Sequence, residues 1–244
     1  MANEIKIIQT MTGDIFQPVR LYYQMHRKSG VLVAFNKLHC MSFDEPGDRW
    51  IWLYDGEAKK LKFKQSYASL PPHRRPIVLG SFYSRDDSQM YLDLGSIERA
   101  VAAAEFFDKH IKRTVAELKY VAIYNKIISE DEHPGACFDT LFASVNPADI
   151  DGSSEERLAM AIAALESDHA MDIINQRGFE LVEAFPANYY EDGVSALSAA
   201  LGMRQSVALV RLKRDPDYCM ADLIRDIVIN DPCDRRSPGK ENGM

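Results

Sequence analysis

Turn signals recur at short intervals through the first 94 residues, and they constrain the fold more than any other feature. Lys28-Ser29-Gly30, Asp44-Glu45-Pro46-Gly47-Asp48, Asp55-Gly56 and the polar run Ser84-Arg85-Asp86-Asp87-Ser88 all interrupt apolar stretches. Proline presets φ and glycine supplies positive φ, so these clusters bend the chain. Asp-Gly is also a favoured pair in two-residue hairpins. The intervening segments 19–27, 31–43, 49–54, 57–67, 77–83 and 89–94 read as about six strands of an antiparallel meander.

Period-two alternation supports this reading. Val31, Val33, Phe35, Lys37, His39, Met41 and Phe43 would share one strand face. With Asp55-Gly56 as a hairpin turn, Trp50, Trp52, Leu61 and Phe63 would share a core face, and Lys60, Lys62 and Lys64 would point away from it.

After Leu94 the period changes. Ser96 is a candidate N-cap and Glu98 suits the first turn of a helix. Ile97, Val101, Ala104, Asp108 and Ile111 follow at helical spacing, flanked by Phe107, with the helix ending near Lys112. Residues 115–128 read as a strand. Polar stretches at 129–135 and 146–153 are candidate boundaries. Beyond them, Ser153 and Glu156 form a capping-box pattern for a helix carrying Leu158, Ile162, Leu165, His169 and Ile173, which Gly178 can stop. A strand at 179–185, a helix at 194–201 capped by Asp192 and ended by Gly202, a strand at 206–212 and a helix at 220–229 complete the reading. The openings Ser96-Ile97-Glu98-Arg99-Ala100 and Ser154-Glu155-Glu156-Arg157-Leu158 are similar, as in a duplicated αβ unit or by chance.

The fold class expected is α+β: a mostly antiparallel N-terminal sheet followed by a helix-rich αβ lobe. The expected organisation is a β-rich lobe over 1–128, a linker over 129–152, an αβ lobe over 153–229 and a mobile tail over 230–244.

Composition bears on compartment. The longest apolar runs fall far short of the roughly 20 residues of a membrane span, and the first residues lack a signal-peptide pattern. Cys40, Cys137, Cys219 and Cys233 form no CxxC pair, so a reduced, cytoplasmic protein is expected.

Few residues suggest chemistry. The chain has no GxxxxGK[ST], GxGxxG, GxSxG or HExxH motif. Glu130–His133 and Glu166–His169 have ExxH spacing, but the first runs straight into Pro134-Gly135, and the chain is not the all-helical bundle that di-metal sites use. His133 and Cys137, with Cys219 and Cys233, could supply zinc ligands but lack paired short spacing. Cys40 and Cys137 read better as small buried residues. Adjacent His39 and Cys40 would point to opposite faces of a strand. Trp50 and Trp52 could line a ligand cavity, although strand tryptophans more often fill a core with the indole N–H satisfied. No cofactor and no metal are expected.

Charge carries the strongest signal. The net charge is −7, but residues 1–85 carry +6 and residues 86–244 carry −13. Between 58 and 85 lie seven basic residues and no acid: Lys59, Lys60, Lys62, Lys64, Arg74, Arg75 and Arg85. On a strand, the three lysines 60, 62 and 64 would stand about 6.5–7 Å apart. Pro71-Pro72-His73-Arg74-Arg75-Pro76 would form a stiff cationic loop.

The expected function is that of a non-catalytic binding or regulatory protein. Lys59, Lys60, Lys62, Lys64, His73, Arg74 and Arg75 would engage an acidic protein partner. Nucleic acid is a weaker candidate, because the −13 half repels a long polyanion. An enzyme with an unfamiliar site between the lobes is the other alternative. The same lysines could instead keep a sheet soluble, or dock on the acidic half of the chain.

Overall fold

In the computed structural model, residues 5–132, 137–150 and 180–230 are described. The strands are β1 (Val19–Met25), β2 (Met41–Asp44), β3 (Arg49–Leu53), β4 (Val78–Ser84), β5 (Gln89–Leu94), β6 (Ala116–Tyr124) and β7 (Val182–Pro186). They form one antiparallel sheet in the order β2-β3-β4-β5-β1-β6-β7. The helices are α1 (Lys28–Asn36), α2 (Ile97–His110), the short α3 (Phe138–Leu141), α4 (Tyr189–Lys213) and α5 (Met220–Asn230). The fold is α+β.

One face of the sheet carries the main core. Val19, Leu21 and Tyr23 of β1, Trp52 of β3, Phe82 of β4 and Leu92 of β5 meet Val31 and Phe35 of α1, Ala100 and Phe107 of α2, and Leu197 and Leu201 of α4. Phe35 sits within ring contact of Trp50, Phe82 and Phe107. Burying a side chain of this size stabilises a fold by roughly 2–3 kcal/mol. β7 belongs to this same sheet, and its neighbour α4 belongs to the same core.

Several expected elements appear. Ser96 caps α2, its hydroxyl accepting the Arg99 N–H at 3.2 Å. The 84–88 turn joins β4 to β5, where Asp86 accepts the N–H groups of Ser88 and Gln89. β6 falls within the segment read for it, and β7 and α5 match theirs to within one residue at the C-terminal end. The buried stripe of α2 is rotated from the expected one: Ala100, Ala103, Ala104 and Phe107 are buried, whereas Val101 and Asp108 are only half-buried.

Three strand expectations are corrected. Residues 31–43 are α1 and β2 instead of one long strand. Val31 and Phe35, four apart, are buried while Val33 is exposed, so tertiary packing selected helical spacing over the β-branched preference. Gly30 is a close-approach residue inside α1, where an added Cβ would meet a Val115 methyl at 2.8 Å.

Residues 57–67 are no strand either. The place beside β3 is taken by β4, and 56–60 curl into a 3-10 turn. Gly56, at φ +46°, starts that turn, and the Asp55 carboxylate caps it. Residues 206–212 continue α4, where Val207 and Ala208 are buried, and Gly202 lies inside the helix instead of ending it. The backbone of α4 is broken at Gly193 (φ 80°), next to the expected cap Asp192.

By length and composition α4 could cross a membrane, with a mean hydropathy of 1.2 in its most apolar window. Here it packs along α2, and its Arg204 is bonded to Glu183 of β7. The reading of 153–178 and of the tail after 230, with the second half of the duplicated motif, falls outside the described residues.

Candidate functional site

The basic interval lies mainly in the connection between β3 and β4, residues 54–77. Tyr54, fully buried, organises it. Its hydroxyl donates to the Leu61 carbonyl at 2.9 Å and accepts the Tyr67 N–H at 3.0 Å. Its ring meets Phe63 and Tyr67 edge-on at 5.3 and 5.4 Å. Ala58, Leu70 and Ile77 anchor the segment in the core.

Neighbouring elements hold the loop from outside. Glu57 accepts from the His39 side chain at 2.9 Å and from the Cys40 N–H at 3.1 Å. Burial pushes the Glu57 carboxyl up, but the His39 side chain and the backbone N–H groups of Glu57, His39 and Cys40 outweigh it and hold it at about 2. At the far end, the Gln65 N–H donates to the Thr12 carbonyl at 2.8 Å. Arg99 of α2 donates to the Thr12 hydroxyl and to the Val78 and Leu79 carbonyls. Burial pulls the Arg99 guanidinium down to about 10.

The cations of the interval divide into two sets. Lys59 pairs with Asp55 at 2.6 Å and lies 4.8 Å from the centre of the Tyr67 ring. Arg75 lies 4.9 Å from that ring and turns back to donate to the Leu70 and Ala68 carbonyls. Lys59, exposed, and Arg75, half-buried, are thus already engaged by groups of the loop itself. Lys60, Lys62, Lys64, His73 and Arg74 are exposed, and their side chains make no ion pair or hydrogen bond among the described residues. Arg85 is separated from them by the length of β4, roughly 20 Å of strand. The expected strand face of lysines is therefore replaced by an ordered loop that displays part of the same set.

A second polar centre lies on the opposite sheet face. Arg20 and Asp93 stand opposite each other in the β1–β5 register, and the guanidinium grips the carboxylate at 2.6 and 3.0 Å. Arg20 also donates to Asp139 at 2.9 Å and lies 4.0 Å from the Tyr91 ring centre. Phe142 closes this side against Tyr22 and Ala122. Burial pushes the Asp93 carboxyl up, to about 6, against the pull of Arg20. Burial opposes the charge on Arg20, but Asp93 and Asp139 raise its pKa overall. Sequence reading missed this centre. The available signal was a lone Arg and a lone Asp at alternating positions within apolar strands.

The remaining candidates resolve as follows. Cys40 is buried, and burial together with Glu57 pushes its thiol up to about 12, the reverse of an activated nucleophile. Cys137 is exposed, contrary to the buried reading, with Sγ 3.3 Å from the Thr140 hydroxyl. The Cys219 thiol donates to Asp222 at 3.0 Å. His133, Glu166, His169 and Cys233 fall outside the described residues. Trp52 is packed on Phe106 and Phe107 instead of lining a cavity, and its indole N–H is buried without a partner.

The fold and site define an α+β protein with a helix-backed antiparallel sheet and one tethered cationic loop. No family model matches this chain, and neither does a curated protein or a solved structure.

Proposed function

We propose that this protein is a non-catalytic binding or regulatory protein. Its 54–77 loop engages an acidic protein surface through Lys60, Lys62, Lys64, His73 and Arg74. Lys59 and Arg75 shape the loop around Tyr67. The observation that carries this reading is five exposed basic side chains that make no ion pair or hydrogen bond among the described residues, in the acid-free interval 58–85. Because the loop is tethered at Tyr54, Glu57 and Gln65, the backbone that carries Lys60, Lys62 and Lys64 is ordered before binding, which lowers the ordering cost. The net −13 of residues 86–244 favours a compact acidic patch over a long polyanion.

The test compares wild type with a variant carrying Lys60→Gln, Lys62→Gln, Lys64→Gln and Arg74→Gln. Affinity capture at low and moderate salt, read by mass spectrometry, should recover an acidic protein with the wild type alone, with recovery falling as salt rises. The same proteins recovered by both forms would overturn the reading. So would retention of RNA or DNA with no protein.

A further inference from the structure

Within this loop one stretch of backbone is unpaired. The Leu61 N–H donates to the Ala58 carbonyl, and the Leu61 carbonyl accepts the Tyr54 hydroxyl, so both groups of Leu61 are used on the protein side. Leu61 itself is extended, at φ −65° and ψ 144°. Exposure then alternates: Leu61 and Phe63 are half-buried against the core, and Lys62 and Lys64 are exposed, up to a bend at Lys64 and Gln65. In an extended chain, successive residues turn their backbone groups to opposite edges. Lys62 is exposed between the half-buried Leu61 and Phe63, so an added strand can reach its backbone from solvent. The backbone groups of Lys62, Phe63 and Lys64 make no hydrogen bond among the described residues.

This stretch is held at both ends, by Tyr54 at Leu61 and by Thr12 at Gln65, and the Phe63 ring is fixed on Tyr54. It thus combines a backbone stretch held at both ends with exposed Lys62 and Lys64, whose side chains make no ion pair or hydrogen bond among the described residues. Strand addition uses these two features: main-chain hydrogen bonds supply affinity, and alternate side chains supply selectivity.

We infer that residues 61–64 accept an extended peptide as an added strand, and that the peptide carries acidic side chains at every second position. This deepens the proposed function by specifying the form of the acidic partner, and it rests on that reading. Opposite charges facing each other across two strands favour the pair, so carboxylates at alternate positions would meet Lys62 and Lys64 on one face, with Lys60 beyond them. An acidic helix would place its carboxylates at a different period and would leave the Lys62 N–H and C=O unpaired.

The experiment uses the full chain and three labelled peptides, read by fluorescence anisotropy. The first is Glu-Thr-Glu-Val-Glu-Thr. The second has the same composition with its glutamates contiguous. The third is the first peptide N-methylated at alternate residues, which keeps the charge and removes backbone donors. Losing one such hydrogen bond should weaken binding about tenfold. The alternating peptide should bind most tightly, and it should slow amide hydrogen exchange at Lys62 and Lys64. Equal affinity for the parent and N-methylated peptides, with no added protection, would overturn strand addition. If the four-glutamine variant still abolished binding in that case, the electrostatic reading would survive. Peptide binding unaffected by the glutamines would remove both. Absence of peptide binding at low salt would overturn the inference, and protein capture would then judge the broader reading separately.

Discussion

The Arg20 centre and the 54–77 loop both carry basic side chains, and they treat the charge in opposite ways. Arg20 is enclosed, with Asp93 opposite it on the neighbouring strand, Asp139 above it and the Tyr91 ring beside it. Lys60, Lys62, Lys64, His73 and Arg74 are left open. Lys59 and Arg75 share with Arg20 a pairing within the protein, although they sit in the loop and are less buried. The division between structural and available charge therefore runs through the loop, and charge density along the chain does not mark it. Pairing marks it.

The comparison can be broken most severely at Arg20. Arg20→Ala leaves Asp93 buried without its cation, and such losses cost about 3–5 kcal/mol. Urea denaturation should show that drop, and a change below about 1 kcal/mol would show the centre to be dispensable.

Within the loop, Arg75→Ala should cost about 1–2 kcal/mol, because the Leu70 and Ala68 carbonyls lose their donor and Tyr67 loses a cation. Its sequence neighbour makes the control. Arg74→Ala should leave the melting temperature nearly unchanged, and equal effects at both positions would erase the proposed division.

Glu57→Gln tests the tether between the loop and the α1–β2 turn. At neutral pH it should destabilise by about 1 kcal/mol. Glu57 has a lowered pKa, about 2 in the folded protein, so its contribution is complete above its unfolded value near 4.5. That contribution disappears as pH falls toward 2. Melting curves of the two proteins should therefore converge with acidification, and a constant gap would remove Glu57 as the tether.

The smallest stability effect belongs to the four-glutamine variant. Its stability should stay within about 0.5 kcal/mol of wild type while its binding is lost.

Much of the fold was legible where local chemistry and tertiary packing agree. Ser96 before an alanine-rich stripe gave α2, and the polar 84–88 turn between alternating segments gave the β4–β5 hairpin. Legibility failed where a distant neighbour decided. Gly30 looks like a turn residue in isolation, but Val115 requires its missing side chain inside a helix. Asp55-Gly56 is a hairpin signal that here caps a 3-10 turn, because β4 supplies the partner that 57–67 would have been. Val207 reads as strand-forming, yet it is buried in a helix that packs on α2. The loop's cations could be counted from sequence. Which of them were already engaged depended on Tyr67 and on the Leu70 and Ala68 carbonyls, reached only after the chain folds back.

The central position of β1 has a consequence for how the chain is made. Its two neighbours are β5 and β6, so Val19 pairs opposite both Leu94 and Ile123. The β2–β3 and β4–β5 hairpins can close early from local contacts, but β1 waits unpaired while roughly the next seventy residues, to the end of β5, are synthesised, about 4–14 s at ordinary elongation rates. Such non-local pairing slows folding. During that interval Val19, Leu21 and Tyr23, fully buried or nearly so in the finished protein, form an exposed apolar strand. Among the described strands, the one that ends at the centre of the sheet is therefore the one that waits for its partners across the longest stretch of chain.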